Sequence, residues 1–168
     1  MFKDIKSLLF ATDLTGDCRP ALENSVAIAS RFQATLVLFH VIDGSVKAED
    51  HFISLMGKNK WEAIKEEHEK KVHETLIGKM SSKQIGENVL SIYSEEAGID
   101  SLASNLNWEE IVVEDANIAG AILNQAKKGN CDLIVLGNKK GFLEANALGS
   151  KIKELIRKSK IPVMVVPS

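Results

Sequence analysis

Asp132-Leu-Ile-Val-Leu-Gly137, followed by Asn138-Lys-Lys-Gly-Phe-Leu-Glu-Ala-Asn-Ala-Leu-Gly-Ser150, reads as a buried strand, a glycine-bounded loop and a helix opening at Gly149-Ser150. Such a loop suits an anionic ligand, because free N–H groups at a helix start point into it and the helix dipole favours negative charge. Working outward, Ser7–Ala11 is a short apolar run ending in Thr12-Asp13, and reads as another buried strand. A helix follows it, with Asp17 as the expected N-cap, Pro20 in the first turn, and Leu22, Val26, Ala29 and Phe32 at helical spacing. Thr35–Ile42 is the longest β-rich run, without polar alternation before His40, as in a strand buried on both faces of a parallel sheet. Glu110–Glu114 is a third strand candidate. Ile118–Lys128 is a helix stopped by Gly129, Asp132–Leu136 a strand, Ser150–Lys158 the last helix and Val163–Val166 the last strand. Alternation of this kind predicts a parallel α/β sheet with right-handed crossovers.

Between the second and third strands the pattern is helical. Trp61, Ile64, His68, Val72, Leu76 and Met80 form one stripe from Asn59 to Met80, supported by Glu66–Lys70 and Glu67–Lys71 pairs in the favourable i,i+4 order. Ile85–Leu106 reads as one helix interrupted near Gly98, or as two shorter pieces. No Gly/Ser linker or repeat divides the chain. The expectation is therefore one domain over residues 1–168, with an extra helical segment around residues 85–106.

Composition narrows the function. A chain of 168 residues that is 45% hydrophobic and 26% charged suits a soluble domain burying roughly 70% of its unfolded surface, with no need of a metal or disulfide. A net charge of −2 argues against broad binding to nucleic acid or an acidic membrane. Cys18 and Cys131 are far apart and outside any C-x-x-C spacing, which suits buried thiols in a reducing compartment. The apolar run within Met1–Phe10 is too short for a signal peptide or a membrane span, so a cytoplasmic location is expected.

In an open parallel sheet, ligands sit beyond the carboxyl ends of the strands, where the strand order reverses. Two such ends carry polar or glycine-rich loops: Ala11–Gly16 after the first strand and Gly137–Ser150 after the fourth. If these strands are neighbours, Asp13 faces the glycine loop, where its carboxylate can take a ribose hydroxyl or a base amino group. Ser150 and the adjacent N–H groups can take phosphate. The plainer readings are a helix-entry role for Asp13 and an N-cap role for Ser150, the latter stabilising by about 1 kcal/mol.

These residues carry a resemblance. Leu9-Phe-Ala-Thr-Asp13, Arg19–Ala29, Leu38–Asp43, Asp132–Gly137, Gly149-Ser150 and Ile161–Pro167 are similar to the universal stress protein (UspA) family over essentially the whole chain. The resemblance implies a five-stranded sheet of order 3-2-1-4-5 with helices on both faces, like the adenine-nucleotide alpha-hydrolase fold. It also implies a stress-response role with ATP or another adenine nucleotide bound, with or without Mg, and a homodimer through the edge strand Val163–Val166. ATP-binding members carry G-x2-G-x9-G-[ST] after the fourth strand, and other members lack it and bind no nucleotide tightly. Here Gly137 and Gly149-Ser150 stand at the two ends of that pattern. Lys140 falls where the second glycine belongs, Gly141 comes one position late, and the loop is one residue short. A missing residue displaces backbone by up to ~3.5 Å, more than a hydrogen bond tolerates. Ala11 stands where ATP-binding relatives often have proline.

Carried over by position, Thr12, Asp13 and Val41 contact the adenosine, Val41 through its backbone, and Gly137, Gly149 and Ser150 line the phosphate end. A phosphate contact from Lys140 or Lys139 is an expectation from charge alone, beside the reading that both are solvated loop residues. Other chemistries find no support. There is no G-x-x-x-x-G-K-[ST] and no G-x-G-x-x-G. His68 and His73 lie on different helix faces, and His40 reads as a strand-end residue. No serine sits in a nucleophile elbow, and Trp61 and Trp108 read as packing anchors. The expected protein is a non-catalytic nucleotide-binding regulator, or at most a very slow ATPase, with an unidentified protein partner. The alternative is a dimeric interaction protein of the same fold whose altered loop binds no nucleotide.

Overall fold

The computed structural model describes residues 4–14, 16–73, 81–102, 105–138 and 149–168. Five parallel strands, β1 (Ser7–Ala11), β2 (Thr35–Asp43), β3 (Trp108–Asp115), β4 (Leu133–Asn138) and β5 (Val163–Pro167), pair in the order β3-β2-β1-β4-β5. Leu9 at the centre of β1 aligns with Val37 on one side and Ile134 on the other. Because successive side chains in a strand point to opposite faces, this register sorts the apolar residues into two layers. Leu8, Phe10, Leu36, Leu38 and Val135 pack on one side with α1 (Arg19–Phe32), Phe52 of α2 (Ala48–Met56), Trp61 of α3 (Lys58–His73) and Leu90 of α4 (Ser82–Ala97). Leu9, Phe39, Val41, Ile134 and Leu136 pack on the other side with α6 (Ile118–Lys128) and Leu155 of α7 (Ser150–Lys158). A one-residue slip of β1 would exchange these two sets, so burial itself fixes the register. The reversal of strand order between β1 and β4 is the one the resemblance implies.

Some boundaries differ from expectation. The N-cap of α1 is Cys18, not Asp17, which lies in a short 3-10 turn at Gly16–Cys18. Pro20 in the first turn favours the helix start without a side-chain cap. The α2 helix was not anticipated. It lasts only nine residues and has no side-chain cap, and Gly57, at φ 83°, ends it before α3 begins. In α3, Trp61 is buried and Ile64 partly buried, while the expected stripe from His68 to Met80 lies outside the described side chains. The Ile85–Leu106 stretch divides at Gly98. There α4, which starts at Ser82 behind a Ser81/Gln84 capping box, ends in a left-handed residue and α5 (Ile99–Leu102) follows. No helix among the described residues is long and apolar enough to cross a membrane.

Candidate functional site

The carboxyl ends of β1, β2 and β4 open into a cleft of about 400 Å³, within the roughly 300–1,000 Å³ usual for small-ligand sites. Its floor is apolar, from Val41, Leu136, Ile118, Ala119 and Ile122, and its walls carry Thr12, Asp13, Asp43, His51 and Lys151.

The β1 exit is tightly specified. Thr12 N–H donates to Phe39 O at 2.9 Å, extending the ladder one residue past the strand. Thr12 Oγ1 accepts from Leu14 N–H at 2.9 Å, turning the chain at Leu14, which adopts φ 65°. That turn leaves Asp13 on the cleft wall, where its Oδ1 accepts from the Cys18 thiol at 3.0 Å. Burial, and then the Asp13 charge, push Cys18 up to about 11, so at neutral pH it is a donor to the carboxylate and not a nucleophile. Cys18 also explains Gly137. A side chain at that position of β4 would stand 3.1 Å from the Cys18 sulfur and 3.3 Å from its Cα. Gly137 therefore lets the β1–α1 turn close on β4, a packing role distinct from phosphate binding.

At the end of β2, Asp43 accepts from Ser45 N–H and Oγ–H, which hold its carboxyl below the usual range. His40 does not sit at the strand end as expected. It is the sixth residue of nine in β2, only 2% exposed, and its Nδ1 lies 2.8 Å from Thr12 O. Its Nε2 lies 3.0 Å from Nε2 of His51, on the unanticipated helix α2, and His51 Nδ1 accepts from Asp43 N–H at 3.3 Å. Burial lowers His40 to about 4 and also lowers His51.

The α7 end is built differently. Gly149, not Ser150, is the N-cap, with no side-chain cap bond, and Ser150 is the first helical residue and exposed. The first backbone bond closing this turn runs from Lys153 N–H to Gly149 O at 3.0 Å. Lys151 lines the cleft, its Nζ 4.0 Å from Asp43 Oδ2.

Of the residues singled out from the sequence, the structure brings Thr12, Asp13, Val41 and Gly137 to one cleft, and puts Gly149 and Ser150 at the helix start beside its lining residue Lys151. Lys140 lies outside the described residues. His40, His51, Asp43 and Lys151 were missed. His51 and Lys151 carry no motif, and His51 becomes visible only once α2 is recognised. No group of three or more His, Cys, Asp or Glu among the described residues could hold a metal ion.

The model of the universal stress protein family matches residues 4–167, nearly the whole chain. The chain belongs to the universal stress protein family. Solved structures of the same fold include a universal stress protein in complex with cAMP, 18% identical over 98% of both chains with a TM-score of 0.62. The universal stress protein UspA of Lactobacillus plantarum is 20% identical over 98% of this chain and 99% of its own, with a TM-score of 0.62. A universal stress protein of Archaeoglobus fulgidus in complex with dAMP is 17% identical over 97% of this chain and 98% of its own, with a TM-score of 0.55. A search of curated protein sequences finds no match to this universal stress protein.

Proposed function

We propose that this universal stress protein binds an adenine nucleotide in the β1–β4 cleft and changes its contacts with a protein partner according to occupancy, without catalysing a reaction. The observation that carries the reading is the convergence of Thr12, Asp13, the Val41 stretch of β2 and Gly137 around a cleft of about 400 Å³ at the point where strand order reverses. The base and ribose lie over the apolar floor, with Asp13 accepting from a ribose hydroxyl and the Val41 backbone meeting the base. The phosphates lie towards Gly149, Ser150 and Lys151, where N–H groups at the start of α7 and the lysine charge favour an anion. Lys140 belongs to the same proposal as a further cation for that end. The cAMP and dAMP complexes of proteins with this fold support an adenine-nucleotide ligand.

A second reading rests on the loop, one residue shorter than the ATP-binding pattern. With the phosphate end unformed, the protein is an interaction module without a nucleotide. Both readings include a homodimer through the outer edge of β5, an apolar strand at the end of the sheet. Calorimetric titration of ATP, with and without Mg, into protein stripped of copurified nucleotide separates the two. Saturable binding of one ATP per chain supports the first. No heat and no thermal shift at millimolar ATP supports the second. A concentration-independent monomer mass in light scattering counts against the dimer.

A further inference from the structure

The polar contacts linking β2, α2 and the β1 exit have only one proton arrangement. Asp43 N–H at one end can only donate, and Thr12 C=O at the other can only accept. His51 Nδ1 must therefore be an acceptor, which makes His51 Nε2–H the donor to His40 Nε2 at 3.0 Å. His40 Nδ1–H is then free to donate to Thr12 O at 2.8 Å. Both rings are neutral, and every nitrogen is used. A further proton has no place to go without breaking the chain. On His40 Nε2 it faces His51 Nε2–H, and on His51 Nδ1 it faces Asp43 N–H.

We propose that His40 and His51 form a proton-sensitive latch holding α2 against the β1 exit, so that protonation frees α2, one wall of the cleft, and a bound nucleotide opposes the opening. The ligand part of this rests on the nucleotide reading; the latch itself does not. The location fits the role. His40 is fixed inside the sheet, whereas α2 is short and uncapped. Beside the pair, α2 is also held by Phe52, which stacks on Trp61 with ring centroids 5.3 Å apart. Three charged groups act on the pair: Asp13 at the β1 exit draws a proton towards His40, Asp43 at the end of β2 draws one towards His51, and Lys151 of α7 opposes it. Phe52 also meets the His51 ring edge to face, the ring centroids 5.2 Å apart. Burial outweighs the two carboxylates, since both imidazoles are held below their ordinary value.

Hydrogen exchange of wild-type amides at pH 7.5 and 5.0, corrected for intrinsic rates, tests the latch. If the His40 imidazole, which titrates near 6.5 when released, is held near 4 in place, it alone raises the opening equilibrium of α2 about 30-fold between these pH values. Amides of Ala48–Met56 should lose that much protection while those of β4 lose far less. Saturating ATP at pH 5.0 should restore it. The double variant His40→Asn/His51→Gln, with an amide in place of each ring, should show no such dependence. An α2 change below about threefold, or an equal loss in β4, would overturn the latch. Should the variant fail to fold, nitrogen NMR of the wild-type imidazoles decides. The protonation pattern above, kept down to about pH 5, supports the latch, and free titration near 6.5 sinks it. If ATP leaves exchange unchanged at both pH values, the nucleotide reading fails and the pH dependence alone decides the latch.

Discussion

At the β1–β2 end of the cleft, Thr12 and His40 are almost fully buried, and each has hydrogen-bond partners fixed by the sheet. At the α7 end, Gly149 and Ser150 are exposed, the helix has no side-chain cap, and Lys151 is 61% exposed at its side chain. The first end is shaped by folding, so its geometry exists before any ligand arrives. The second is exposed, and its one side-chain contact among the described residues is the long ion pair of Lys151 with Asp43 at 4.0 Å. The two glycines show the same division. Gly137 is required by Cys18 packed against it, whereas a side chain at Gly149 meets nothing within 4 Å among the described residues. Affinity should therefore be set mainly at the first end, and the identity of the anionic group at the second.

The largest expected effect falls on Asp13. Asp13→Ala should weaken ATP binding by about 10- to 100-fold, as expected when a charged hydrogen-bond partner is removed from a partly desolvated site. The fold should survive, because the turn is held by Thr12 and the core beneath it. Calorimetry with a parallel thermal melt measures both. Retained affinity would move the ligand away from the β1 exit and break the comparison.

Acid titration comes next. The folded value of His40 is about 4 against about 6.5 when exposed, so between these values the unfolded chain binds more protons. Stability is complete above pH 6.5 and falls as pH drops towards 4, by up to about 3 kcal/mol from this residue. Glu49 and Glu154 act lower. Their lysine partners hold them below 4.5, so their contribution is present above that value and lost beneath it. Melts at pH 7.5, 6, 5 and 4 should show the main fall beginning above pH 5. A flat profile down to pH 5 would mean that His40 is not held neutral by the fold.

Gly137→Ala should cost about 1–3 kcal/mol, because the contact at 3.3 Å is to Cys18 backbone and cannot rotate away. Gly149→Ala has φ −58°, ψ 153° and open space, so its stability should stay within about 0.5 kcal/mol of wild type while its ATP affinity changes. Equal destabilisation by both would remove the distinction between the ends. Lys151→Ala should weaken ATP by about three- to tenfold, more at low salt, as expected of an exposed charge. A loss as large as that of Asp13→Ala would make the α7 end dominant.

How much of this was legible follows from what each feature depends on. Strands such as Thr35–Ile42 declare themselves by continuous apolar residues, and helices α6 and α7 by period and stop signals, so the sheet could be read in outline. Strand order came from resemblance, since local pattern says nothing about which strands touch. Asp13 and Gly137 could be named because each directly follows an apolar run that reads as a strand or its exit, yet the packing role of Gly137 depends on Cys18, more than a hundred residues away in the chain. The histidine pair was invisible for two reasons. His40 reads as a strand-end residue although the strand continues to Asp43, and His51 lies on a helix of nine residues with only two buried positions, too few to set a period.

The smallest effect tests whether the β1 end is as complete as its hydrogen bonds suggest. The Tyr93 hydroxyl of α4 is buried beside Thr12 without a well-formed hydrogen bond, and burial pushes it up to about 12. A buried hydroxyl left unsatisfied costs about 1–3 kcal/mol relative to one that is paired, and removing it removes that cost. Tyr93→Phe should therefore leave stability unchanged or raise it by up to about 1 kcal/mol, with ATP affinity intact. A clear destabilisation in a thermal melt would mean that the hydroxyl has a partner in solution, with Thr12 the nearest candidate. Lost ATP affinity at unchanged stability would instead make Tyr93 part of the wall that positions Asp13. In that case the ordered end of the cleft extends through β1 to α4.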